Sequence, residues 1–296
     1  MSTDPVHDTG LELEIDTPFA QLAGLAWGAR GADPVLALHG WLDNASSFTP
    51  LAPRLAEMRI VALDMPGHGR SGHRPRGAHY HFVDYVTDVV AAADALGWER
   101  FTLVGHSLGG AVGCFLAGAF PQRVSALVMI DAIGPLARRP SLEPAALSRS
   151  MEQMHALEHK RSPVYRRLED AATTRMQAGD LSYDSASLLV ARSTRASAGG
   201  LTWRSDPKLR VTSPHYVAEE QILAYLRAIR APALLIRASA GHLQMHPHLE
   251  RRIGAIPELD VVDMPGGHHL HMETPDAVAK VVRRFLTSNG VKSSNI

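Results

Sequence analysis

The chain has 296 residues, with 30 Lys+Arg against 30 Asp+Glu, so its formal net charge is zero. That balance excludes a protein that grips nucleic acid or an anionic membrane through a general basic excess. A composition of 45% hydrophobic and 20% charged residues is ordinary for a globular chain, either two units or one large domain with an insertion.

The N-terminus, Met1-Ser2-Thr3-Asp4-Pro5, has neither a basic nor an apolar leader region, so no secretion signal is expected. The first ten and last ten residues are polar and expected to be loose. Short apolar runs then recur at 35–38, 60–63, 101–104, 126–130, 233–236 and 259–262. They are too short for helices and mostly β-branched, which predicts strands buried on both faces of a parallel sheet. Between them, Val83, Val86, Val89, Val90 and Ala93 recur at helical spacing and Gly97 offers a C-cap. Val278, Val281, Val282 and Phe285 mark a last helix. This alternation predicts an open α/β sheet. It fails over 134–218, where three stripes (Leu147/Met151/Met154/Leu157, Val164/Leu168/Ala172 and Leu188/Leu189/Val190) predict a helical cap. The expected organisation is a core at 1–133, the cap at 134–218, and the rest of the core at 219–296. No apolar run approaches the ~18 residues of a membrane span; the longest, 111–120, stops at Pro121. The single cysteine, Cys114, rules out an intramolecular disulfide and a cysteine zinc site, and fits a reduced, cytoplasmic compartment.

The chemistry concentrates at Gly105-His106-Ser107-Leu108-Gly109, between a predicted strand and a helix-compatible run. In G-x-S-x-G a sharp strand–turn–helix lifts the serine above the sheet, and the turn is so tight that both flanking glycines are required. Ser107 is the candidate nucleophile, and the Leu108 N–H lies where an oxyanion can be held. A serine needs a base. Of the sixteen histidines, the loop Pro265-Gly-Gly-His-His-Leu-His-Met-Glu-Thr-Pro275 offers His268, His269 and His271 after the last strand.

With these motifs the chain resembles the α/β-hydrolase fold family over nearly its whole length. His39-Gly40-Trp41 resembles the family's oxyanion-hole motif, and Asp64-Met-Pro-Gly-His-Gly-Arg-Ser71 its D-x-P-G-x-G-x-S loop. Gly267-His268 with Glu273 and Pro275 resembles the histidine loop, a register that selects His268 as base. The Trp203-Arg-Ser-Asp-Pro207 stretch and the Gly-His-His-Leu-His-Met-Glu ending resemble the serine hydrolase-like group of presumed esterases.

In many relatives the acid follows the strand that here is 233–236, yet no Asp or Glu lies between Ala231 and Leu249. The alternative position in the fold is Asp131, and Asp263 is the reserve. The resemblance therefore implies a Ser107–His268–Asp131 triad, with the Trp41 and Leu108 N–H groups as oxyanion hole. Trp41, Met151 and Met154 are the expected substrate contacts. The substrate is expected to be a small to medium carboxylic ester, cleaved through an acyl-serine by a monomer or homodimer. No cofactor and no metal are expected, because the paired histidines 79/81, 246/248 and 269/271 lack a carboxylate cluster. Asp64 and His39 read as loop-tying groups, and Cys114 as a buried thiol. Two other readings stay open: a serine carbon–carbon hydrolase, for which Arg138 and Arg139 would supply a basic patch, and a non-catalytic receptor for a small apolar ligand.

Overall fold

A computed structural model describes residues 9–157 and 159–291. Of the loose ends expected at 1–10 and 287–296, residues 1–8 and 292–296 lie outside that range, and Thr287 and Ser288 belong to the last helix. Eight strands form one sheet: β1 (Leu11–Asp16), β2 (Gln21–Trp27), β3 (Pro34–Leu38), β4 (Arg59–Asp64), β5 (Phe101–His106), β6 (Val124–Ile130), β10 (Ala233–Ala240) and β11 (Leu259–Gly267). Their spatial order is β1-β2-β4-β3-β5-β6-β10-β11. Pairing is antiparallel at β1–β2 and β2–β4 and parallel elsewhere. The N-terminal hairpin was not marked in the sequence, because β1 alternates charged and apolar residues on an exposed edge.

The short apolar runs are strands because they bury both faces. In β3, Leu36 and Leu38 join one core cluster while Val35 and Ala37 join the other. In β6, Leu127 and Met129 divide from Val128 and Ile130 in the same way. Helices α1 (Phe82–Ala95), α2 (Leu108–Ala119) and α6 (Glu219–Ala228) cover the first face through Val86, Val89, Phe115 and Ile222. Helix α9 (Pro275–Ser288) covers the second through Val278, Val282 and Phe285. The one-turn helices α7 (Leu249–Ile253) and α8 (Leu270–Glu273) follow β10 and β11. Strand β3 sits between β4 and β5, so the chain leaves it in opposite directions on its two sides. Open α/β sheets bind ligands above such a reversal, at the carboxyl ends of the strands. His39 and Ser107 follow β3 and β5 there.

The segment between β6 and α6 is not wholly helical. It holds α3 (Glu143–Leu157), α4 (Leu168–Ala178) and α5 (Tyr183–Ser193), plus a three-stranded antiparallel sheet of β7 (Val164–Tyr165), β8 (Thr194–Ser197) and β9 (Gly200–Trp203). Val164 therefore belongs to a strand, and the β8–β9 hairpin turns at Ala198-Gly199, where Gly199 has positive φ. The α3 stripe also differs from expectation. Leu147 and Met151 are half exposed, and the buried positions are Ala146 and Ser150. Small residues permit close helix packing; Leu147 and Met151 face outward, while Met154 and Leu157 are half-buried.

The segment is tied to the core by buried charge. Arg192 Nε donates to both oxygens of Asp64, and its Nη1 reaches Glu12 at 2.8 Å. At the entry to the segment, fully buried Arg252 donates to the carbonyls of Ile133 and Pro135 and pairs with Glu219 at 2.6 Å. Among the described residues no helix is long and apolar enough to cross a membrane.

Candidate active site

Ser107 joins β5 to α2 with φ 50° and ψ −114°, a conformation that costs a non-glycine residue and holds only where its surroundings enforce it. The enforcement is visible. Ser107 N–H donates to Ile130 O at 3.2 Å, and Gly109 N–H to His39 O at 3.0 Å. A Cβ on Gly105 would collide with the main chain of Gly109, and one on Gly109 with Leu38 O. Leu108 opens α2, where the N–H groups have no intrahelical acceptor.

Asp131 also has positive φ, 47°, and its carboxylate is fully buried at the end of β6. It accepts from His268 Nδ1 at 2.6 Å, from His242 N–H at 2.8 Å and from Ala238 N–H at 3.3 Å. The end of β10 and the loop after it, which lack an acid of their own, thus each contribute a backbone donor to an acid from the neighbouring strand. A Cβ on Gly241 would run into the Asp131 carboxylate. The Nδ1–H donation leaves the His268 Nε2 lone pair free to take a proton. His106 Nε2–H, one residue before Ser107, donates to His268 O at 2.9 Å and so ties the elbow to the histidine loop. The His242 ring stacks on His268 with centroids 3.7 Å apart. Burial, then the nearby His268, pushes the His242 pKa down. Asp263 is elsewhere: it is exposed and paired with Arg237 at 2.5 Å.

Around this centre, His39 Nε2 accepts from Met65 N–H at 3.0 Å and Nδ1–H donates to Gly40 O at 2.7 Å, fixing a neutral ring. Asp64 receives Ala45 N–H and Arg70 N–H. Trp41 is 52% exposed, and its indole donates to Leu209 O at 3.1 Å. Met154 is half-buried and Met151 is 54% exposed on α3. The Arg138 guanidinium lies 3.8 Å above the Tyr216 ring. Cys114 is buried, which pushes its thiol up to about 12.

Asp43 went unmarked in the sequence. Its carboxylate is buried, bonded to Arg175 at 2.6 Å, and faces His106 and His269. Burial alone would raise its pKa; His269, then Arg175 and His106, hold it well below the usual range. His242 and Arg252 were equally unmarked, since stacking and burial across the chain leave no local signal.

A family model described as the alpha/beta hydrolase fold matches residues 33–275. A serine hydrolase-like protein of Danio rerio is 30% identical over 96% of this chain and 91% of its own length. A probable serine hydrolase of Drosophila melanogaster is 34% identical over 95% and 88% respectively. Among solved structures, a hypothetical protein of Pseudomonas aeruginosa PAO1 superposes with a TM-score of 0.89 and 42% identity, covering 93% of this chain and 99% of that one.

Proposed function

The chain belongs to the alpha/beta hydrolase fold family, in its serine hydrolase-like group, and from that premise we propose that it cleaves a small to medium carboxylic ester through an acyl-serine intermediate. The observation that carries this reading is the 2.6 Å contact between Asp131 and His268 Nδ1 on a loop tied to the Ser107 elbow.

In this reading Ser107 Oγ attacks the ester carbonyl carbon while His268 Nε2 takes its proton. Asp131 fixes the imidazole tautomer and steadies the imidazolium. The N–H groups of Leu108 and Trp41 receive the oxyanion. The tetrahedral adduct collapses, the C–O bond to the alcohol breaks, and the alcohol leaves with the proton from His268. Water then attacks the acyl-serine by the same path and frees the acid. The 134–218 segment acts as a cap, with Trp41, Met151 and Met154 toward the substrate's apolar chain. Arg138, engaged with Tyr216, gives no support to the carbon–carbon rival.

The test is a panel of p-nitrophenyl esters of increasing chain length, with fluorophosphonate labelling and peptide mapping. Turnover with a chain-length optimum and an adduct on Ser107 alone are expected. An adduct on another serine, or Ser107→Ala with unchanged turnover, refutes the reading.

A further inference from the structure

Beneath the His268 loop, three side chains from separate parts of the chain converge: Asp43 after β3, His106 at the end of β5 and His269 after β11. All three are more than nine-tenths buried. We propose that Asp43 Oδ2, His106 Nδ1 and His269 Nε2 form a binding site for one divalent transition-metal ion of the zinc class.

The tautomer of His106 is the first argument. Its Nε2–H donates to a carbonyl, His268 O, so in the neutral ring Nδ1 carries only a lone pair. That lone pair has no hydrogen-bond partner among the described residues and faces the Asp43 carboxylate, another acceptor. Two acceptors turned toward each other in a dry interior call for a positive centre between them. A histidine whose second ring N–H is fixed on a backbone carbonyl is also the usual state of a metal ligand.

Spacing is the second argument. Asp43 Oδ2 lies 3.5 Å from His269 Nε2 and 3.8 Å from His106 Nδ1. Hydrogen bonds of this kind span about 2.7–3.2 Å. The ligand–ligand edge of a tetrahedral zinc site, with bonds near 2.1 Å, is about 3.4 Å. These two edges match the second better and need a contraction of only a few tenths of an ångström, and the third, between the two histidine nitrogens, lies within 4.8 Å. Room comes from Gly40, where a Cβ would sit 3.0 Å from both Asp43 Oδ2 and His106 Nδ1.

The donor set narrows the ion. Two imidazoles and one carboxylate oxygen favour zinc, nickel or copper over magnesium or calcium, which take mostly oxygen ligands. Arg175 opposes binding. Its guanidinium holds Asp43 Oδ1, leaves Oδ2 for the ion, and places a second positive charge nearby. The site is therefore a weak, reversible one. It adjoins the proposed ester chemistry through His269, the chain neighbour of His268, and through His106, whose bond to His268 O makes it a positioning residue.

The test reads metal directly, independently of esterase activity. Protein stripped with a chelator is titrated with Co²⁺, followed by its visible absorption, and Zn²⁺ is used in competition. Bound metal is counted by elemental analysis after equilibrium dialysis against buffer of fixed free Zn²⁺. One equivalent with a tetrahedral Co²⁺ spectrum is expected in the parent and in the surface control His155→Gln, and none in His269→Gln or Asp43→Asn. Arg175→Gln should bind on the order of tenfold more tightly or better, because a like charge is removed. His269→Gln guards against a folding defect in Asp43→Asn, since it leaves the Asp43–Arg175 pair in place. Absence of bound metal in the parent at equilibrium, or equal binding in His269→Gln showing adventitious binding by surface histidines, overturns the proposal.

Discussion

Acidification should destabilise this protein well above the range in which its exposed carboxylates protonate, because several histidines are buried neutral, and two of them give a share that can be worked out. His39 and His68 are at most 1% exposed and lie ring against ring at 4.9 Å. Burial lowers His39 from 6.5 to about 4 and His68 to about 3. Both therefore stay neutral in the fold near pH 5, while the unfolded chain takes up a proton at each. The native values lie below the unfolded one, so the contribution is intact above pH 6.5 and is lost as pH falls toward 4 and 3. At pH 5 each group is 1.5 pH units below its unfolded value; at about 1.4 kcal/mol per unit each costs about 2 kcal/mol relative to pH 7.5, and the pair about 4. A typical domain has about 5–15 kcal/mol in total. Urea unfolding at pH 7.5, 6 and 5 measures this, and His68→Met isolates one share. Its ring gives up a bond to Pro66 O, so the variant should be weaker at pH 7.5 by about 1 kcal/mol. Relative to the parent it should then gain about 2 kcal/mol between pH 7.5 and pH 5. Parallel stability curves for parent and variant would refute the argument.

Asp131→Asn should fold but lose about 10²–10⁴-fold in kcat, read against the best ester of the panel. Gly241→Ala should cost a comparable factor without touching any proposed triad member, because its methyl displaces the Asp131 carboxylate; unchanged kcat would contradict the geometry. Asp263→Asn should leave kcat within about twofold, as expected for an exposed ion pair. Arg252→Met should cost about 3–5 kcal/mol in urea unfolding, since it leaves Glu219 and two carbonyls without their donor.

The elbow was legible because its requirement is local: a serine between glycines, after a β-branched run and before a helix. The parallel strands were legible for the same reason, as runs that are apolar on both faces. The expectation of Asp131 came from the resemblance: the loop after β10 holds no acid, and the family's alternative position falls at 131. What escaped depends on distant partners. Arg192, Arg252 and Arg175 carry charges that read as solvated until Asp64, Glu219 and Asp43 are brought to them. The β8–β9 hairpin escaped because its four-residue strands, Thr-Arg-Ala-Ser and Gly-Leu-Thr-Trp, are too short and polar to alternate clearly.

The crowding between Asp131 and Gly241 bears on ancestry. A carboxylate placed at 241 and one kept at 131 would claim the same space, so the acid cannot be duplicated across the two strand ends and then lost from one of them. A lineage moving the acid between them by that route would pass through an intermediate with no working acid, or else change both positions together. Among homologous sequences an acid at 131 should therefore travel with glycine at 241, and bulkier residues at 241 should accompany its loss. The pair would then sort descendants into two classes that single substitutions seldom connect.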